Sequence, residues 1–137
     1  MNSLKKVSFS LVAGVVATLT LTTAPAQANE IERLAVSLCE SAKSDDRRTM
    51  RKKLDLAKIR LNKIYGGLQC GAEGSLLRVA TNAGSINAAK YIATKLKAHD
   101  LTAAEHDGVN IIQYTESLVA GGDASKQAFV DLYKSKI

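Results

Sequence analysis

Apolar residues recur along the chain in short runs with helical spacing, and the polar breaks between them recur at similar intervals. Ile31, Leu34, Ala35, Leu38 and Ala42 fall at i, i+3, i+4, i+7 and i+11, one stripe of an amphipathic helix with Asn29 placed to cap its start. Ser44, Asp45 and Asp46 make a turn, after which Met50, Leu54, Ala57, Leu61 and Ile64 alternate spacings of four and three. The first two turns of that second stripe predict a helix. Over residues 57–65 the alternating polarity of LAKIRLNKIY leaves helix and extended loop both open. Gly66 to Gly74, GGLQCGAEG, is too rich in glycine to extend any helix. Leu76, Leu77, Val79, Ala80 and Ala83 then predict a short helix, with Gly84 in its C-terminal left-handed position. Ser85 caps a second helix carrying Ile86, Ala89, Ile92, Ala93 and Leu96. A polar loop, KAHDLTAAEHDG, leads to a third pair: Ile111, Ile112, Tyr114, Thr115 and Leu118, the turn AGGDAS, then Ala128, Phe129, Leu132 and Tyr133.

The pattern is helix-turn-helix three times. The first pair lies over the second at an offset of 38 residues, which matches Leu38 with Leu76, Ala42 with Ala80, Met50 with Ala88 and Leu54 with Ile92. The third pair fits at an offset near 35, more loosely because its turn is longer. Such spacing predicts an all-α chain, a stack of about three helical hairpins in one domain. Within the central unit, GSLLRVATNAGSINAAKYIATKL resembles an ankyrin repeat: Leu76, Leu77, Ala80 and Gly84 stand where that family has its small-core first helix and its turn glycine. The family's Thr-Pro-Leu-His opening is replaced by Ser75-Leu76-Leu77-Arg78. The resemblance implies a fold and no function.

The amino terminus changes the compartment. Lys5 and Lys6 precede an apolar run from Val7 to Leu21, followed by Pro25 and the small-x-small triplet Ala26-Gln27-Ala28. This is the layout of a secretory signal peptide cleaved after Ala28. The run is shorter than the roughly 20 apolar residues a membrane span needs. The expected organisation is a signal peptide over residues 1–28 and a helical-hairpin domain over 29–137, periplasmic or secreted. Without Lys5 and Lys6, 17 basic residues face 13 acidic ones, a balance that favours solubility and draws the chain to anionic surfaces. In an oxidising compartment, Cys39 and Cys70 favour one disulfide, the alternative being two buried thiols. Leu38-Cys39 near the start, and Cys70-Gly71 before a helix, make the chain similar to a family of small secreted bacterial proteins known only as a domain of unknown function. That resemblance implies no activity.

Charge is concentrated in one place. Eight cations, among them Arg47, Arg48, Arg51, Lys52 and Lys58, stand against Asp55 alone between residues 47 and 63. Those five residues form the candidate anion-binding set, suited to lipopolysaccharide phosphates, acidic lipid headgroups or an acidic protein. The alternative is a solvated outer helix. One nearby aromatic, Tyr65, and export both argue against nucleic acid. His99, Asp100, Glu105, His106 and Asp107 are metal-ligand types, but a spacing of seven between the histidines matches no tight ligand motif. Asp107 and Asn110 also suit the capping of the next helix, so no metal and no cofactor is expected. The four tyrosines are expected to pack with their hydroxyls at the surface. No nucleophile motif or phosphate-binding loop stands in the sequence. The leading expectation is a non-enzymatic periplasmic module that binds another periplasmic or envelope protein. The runner-up is docking on anionic envelope ligands through residues 47–63, with an anionic membrane surface among the partners.

Overall fold

The apolar stripes fold onto one another in register. A computed structural model describes residues 26–137, so the expected signal peptide lies outside the described residues up to Pro25. Eight α-helices follow in order: α1 (Ala26–Lys43), α2 (Arg47–Ala57), α3 (Leu61–Ile64), α4 (Leu76–Ala83), α5 (Ile86–Lys95), α6 (Ala98–Thr102), α7 (Ile111–Ala120) and α8 (Gln127–Lys134). Three short 3₁₀ turns, Tyr65–Gly67, Gly71–Glu73 and Ala124–Lys126, complete the described residues, which contain no strand.

Helices α1 and α2, α4 and α5, and α7 and α8 pair as hairpins. The first helices pack in the order α1, α4, α7 and the second helices in the order α2, α5, α8, giving two layers with a continuous apolar seam between them. Equivalent positions carry that seam. In the first layer Leu38, Ala42, Leu76, Ala80, Ile111 and Thr115 are all 0–1% exposed. In the second layer none of Met50, Leu54, Ala88, Ile92, Phe129 and Tyr133 is more than 4% exposed. Alanine at 42, 80 and 88 lets neighbouring backbones close up; a larger side chain there would force the layers apart. Thr115 is tolerated in the first layer because its hydroxyl donates to the Ile111 carbonyl at 2.7 Å.

Several expectations are corrected. Helix α1 already runs from Ala26, so Asn29 lies inside it and caps nothing. Ile31, Ala57, Ala83 and Ala128, assigned to the apolar stripes, are exposed. Ser85 precedes α5 without capping it; its hydroxyl donates to the Lys43 carbonyl at 3.1 Å. The cap comes from the preceding hairpin, whose turn residue Asp45 accepts the Ala88 N–H at 2.8 Å and the Asn87 amide at 2.9 Å. Each unit is thus fastened to its neighbour by hydrogen bonds as well as by burial.

The segment over residues 57–65 is neither one helix nor an extended loop. Helix α2 stops where Lys58 turns left-handed (φ 54°), its N–H and that of Ile59 returning to carbonyls of the last turn. This Schellman closure swings half-buried Ile59 back onto the core. After the break at residues 58–60 the short helix α3 begins at Leu61, which is 2% exposed. The loop KAHDLTAAEHDG likewise contains α6, started by Asp100 accepting the Lys97 N–H at 2.8 Å and anchored by fully buried Leu101.

Cys39 on α1 and Cys70, just before the Gly71–Glu73 turn, form a disulfide, with Cα atoms 5.7 Å apart and 31 residues between them in sequence. Closing such a loop stabilises the fold by roughly 3–4 kcal/mol in the chain-entropy model. The bridge ties the glycine-rich linker down onto α1 and fixes where the second hairpin begins.

Candidate anion-binding groove

Helix α2 is positioned by its own cap and its two buried residues. Asp46 accepts the Thr49 N–H at 2.9 Å and the Thr49 hydroxyl at 2.6 Å, and these bonds hold its carboxyl below the usual range. Met50 and Leu54 point inward. A helix turns by about 100° per residue, so Arg47 and Arg51 fall on the flank toward α5. Arg48 and Lys52 fall on the outer side, and Lys53 on the opposite flank.

The first flank forms a groove. Arg47 and Arg51 line a depression of about 380 Å³ together with Lys90, Tyr91, Thr94 and Lys95 of α5. A second depression, about 370 Å³, continues it past Leu54, Asp55, Ile59, Arg60 and Asn62, sharing Tyr91, Thr94 and Lys95. The Lys95 ammonium lies 5.5 Å from the Tyr91 ring centroid, within cation–π range. Partial burial, and after it the charge of Asp55, raises the Tyr91 phenol above its ordinary value. Asp55 approaches Arg51 at 3.9 Å, both ends exposed, a pairing too weak and too solvated to neutralise the groove. Five cations therefore line two adjoining depressions that share the half-buried Tyr91.

Of the five residues the sequence marked, the structure brings Arg47 and Arg51 into this groove. Arg48 and Lys52 are exposed on the outer side of α2, and Lys58 sits at its left-handed end. The basic segment is interrupted by the break at residues 58–60, so it is not one continuous basic helix. No local pattern marks Lys90, Tyr91 and Lys95, because they lie on the next hairpin. A signal existed: the offset of 38 lays Lys90 over Lys52.

A second charged cluster is built inward. Arg78 on α4 is 5% exposed. Its Nη1 and Nη2 donate to the two carboxylate oxygens of Asp107 at 2.6 and 2.7 Å, and Nη2 also donates to the Val109 carbonyl at 2.9 Å. Nε is ion-paired with Glu105, and the guanidinium stacks 4.3 Å from the Tyr114 ring centroid. Ser75 donates to Glu105 at 2.7 Å and caps α4 by accepting the Arg78 N–H at 3.3 Å. The Arg78 fork holds the Asp107 carboxyl down at about 2. A guanidinium buried and matched by two carboxylates serves the fold; the cluster pins the 103–110 loop to α4.

The residues weighed as metal ligands are thus dispersed. Glu105 and Asp107 are spent on Arg78, His99 is mostly exposed beside Asp100 at 3.3 Å, and Asn110, not Asp107, caps α7 by accepting the Gln113 N–H at 2.8 Å. Two tyrosines also depart from expectation. Tyr65 and Tyr133 are 6% and 0% exposed, and burial pushes both phenols well up. The Tyr133 hydroxyl shares a 2.7 Å bond with Thr81; Thr81 already donates to the Leu77 carbonyl, so the phenol is the donor.

Residues 38–103 match a family model described as Protein of unknown function (DUF3718). The matched stretch supports a domain-of-unknown-function family, and it holds the disulfide, the end of α1, helices α2 to α5 and every residue of the basic groove. Glu105 and Asp107, the partners of Arg78, lie beyond it. No curated protein and no solved structure matches the chain.

Proposed function

We propose that this protein is a non-enzymatic interaction module of the cell envelope, exported by cleavage after Ala28, that docks an anionic ligand on the face shared by α2 and α5. The observation that carries the reading is the groove in which Arg47, Arg51, Arg60, Lys90 and Lys95 line two adjoining depressions that share Tyr91, while Asp55 alone opposes them. Two consecutive hairpins supply the charge, so the stack itself, rather than one helix, builds the surface. Phosphate groups of lipopolysaccharide or acidic lipid headgroups fit its charge. Ankyrin-like use of a hairpin stack as a rigid docking scaffold belongs to the same proposal, supported by the two-layer register of the three units.

The test is retention on an anionic matrix or pelleting with lipopolysaccharide at low and physiological salt. Reversing Arg47, Arg51, Lys90 and Lys95 to glutamate should abolish binding and leave the fold intact. Equal binding by the reversed protein would end this reading of the groove. A second reading, docking of another envelope protein, has its own support. Val36 is 55% exposed on α1 beside a groove of about 360 Å³ that runs past Cys39, Cys70, Glu32 and Glu40. Salt separates the two: binding through the basic groove collapses as ionic strength rises, whereas docking on α1 persists.

A further inference from the structure

The outer pole of α2 carries a feature the groove does not use. Leu56 is 71% exposed, more than any other large apolar side chain among the described residues. It stands two residues beyond buried Leu54, about 200° around the helix, on the side facing away from the core. Lys52 and Lys53, four and three residues earlier, stand on either side of it, and Arg48 continues the line one turn further back. All three cations are exposed, as are Ala57 and Lys58 immediately after the leucine. Asp55 is the one carboxylate nearby, and it leans toward Arg51 on the groove side.

An exposed leucine ringed by cations narrows the occupant. A protein partner would need an apolar patch of several hundred Å², and one leucine with one alanine falls well short. A soluble phosphate compound would use the cations and leave the leucine in water. An anionic bilayer uses both: headgroup phosphates meet the ammonium and guanidinium groups, and the leucine passes below them into the acyl boundary. Lysine stems lie along that boundary with their charges still in the headgroup layer.

We infer that α2 is a membrane-contact helix that lies on an anionic phospholipid surface and inserts Leu56 into it. The inference rests on the anion-docking proposal and extends it: the groove lies on the flank toward α5, and the pole beyond it on α2 meets a bilayer surface. Charge brings the protein to the surface, and the leucine fixes which face of α2 points down.

The chain contains no tryptophan, so Leu56→Trp places a single reporter at the pole without disturbing the core. The probe is vesicles of phosphatidylglycerol, compared with phosphatidylcholine, using purified protein with its disulfide intact. Emission from the introduced indole should move to the blue and be quenched by brominated acyl chains with the anionic vesicles only. Leu56→Ser should weaken vesicle binding about tenfold with an unchanged melting temperature. Vesicle binding with unshifted indole emission and no effect of Leu56→Ser would overturn the insertion. Retention on phosphocellulose without vesicle binding would also overturn it and leave anion docking standing. Failure of both phosphocellulose and vesicles to bind at low salt would remove the parent proposal as well.

Discussion

Arg78 decides more than its single letter suggests. A charged side chain inside a helix that otherwise reads SLLxVATNAG has to be matched or expelled, and Glu105 and Asp107 match it from beyond the next two helices. Arg78→Met leaves the Glu105 carboxylate buried and unpaired, a loss of about 3–5 kcal/mol, visible as a lower denaturation midpoint. The Asp107 contribution has a defined pH window. Its carboxyl is held at about 2, against an ordinary value of 3.8, so the stability it supplies is full above the ordinary value and disappears as pH falls toward 2. The melting-temperature gap between wild type and Asp107→Asn should therefore be open near neutral pH and closed by about pH 2. Ala80→Glu tests the seam between the layers: a buried, unpaired carboxylate at a fully enclosed position costs several kcal/mol, comparable with the total stability of a small domain. A melting temperature equal to wild type would contradict the stacked arrangement. At this scale most apolar positions were legible, because periodicity marks burial, while Ile31, Ala57, Ala83 and Ala128 at the margins of their stripes are exposed. The clamp was not, since nothing local ties Arg78 to residues 105 and 107; the arginine's isolation among apolar neighbours was the available sign.

Elements end where side chains beyond them find a place in the core. Helix α2 closes at Lys58 in a left-handed conformation that costs a side-chain-bearing residue roughly 1–2 kcal/mol, and half-buried Ile59 makes that closure worthwhile. Lys58→Gly should raise stability by up to about 1 kcal/mol, measured by chemical denaturation, while removing one exposed cation. Sequence could show that residues 57–65 were ambiguous and could not show the break, because the usual glycine marker of a helix end is missing. Helix α6 was hidden for a related reason: five residues are too few for periodicity, and Leu101 alone anchors them. Asp45 shows how elements are joined. It caps α5 from another hairpin, so Asp45→Ala should lose about 1 kcal/mol typical of an N-cap, to which the strain of alanine at the left-handed φ of 59° in its own turn adds. Ser85 holds the standard capping position and does not cap; proximity in sequence is a poorer guide here than the stack.

Across the molecule the repeat was the legible quantity. An offset of 38, read from spacing alone, pairs Leu38 with Leu76 and Leu54 with Ile92, and all four are buried on helices that pack together, α1 on α4 and α2 on α5. The basic groove was half legible for the same reason. One wall lies in the conspicuous run from Arg47, and the other, Lys90 to Lys95, belongs to a hairpin that looks unremarkably polar until the two second-layer helices are set side by side.

The disulfide has a mechanical consequence. Cys39 and Cys70 close a covalent ring that contains α2, α3 and the wall of cations from Arg47 to Lys63. Tension applied to the two ends of the chain passes through the sulfur bridge and bypasses the ring, so that segment bears no load while the flanking hairpins are drawn out. Pulled in a force spectrometer, the oxidised protein should fall short of the reduced one by about 100 Å of contour length, the 31 residues of separation at roughly 3.3–3.6 Å each. One wall of the proposed groove, Arg47, Arg51 and Arg60, is thus a closed link that force along the backbone cannot unravel, whereas Lys90 and Lys95 stand on the part that is drawn out.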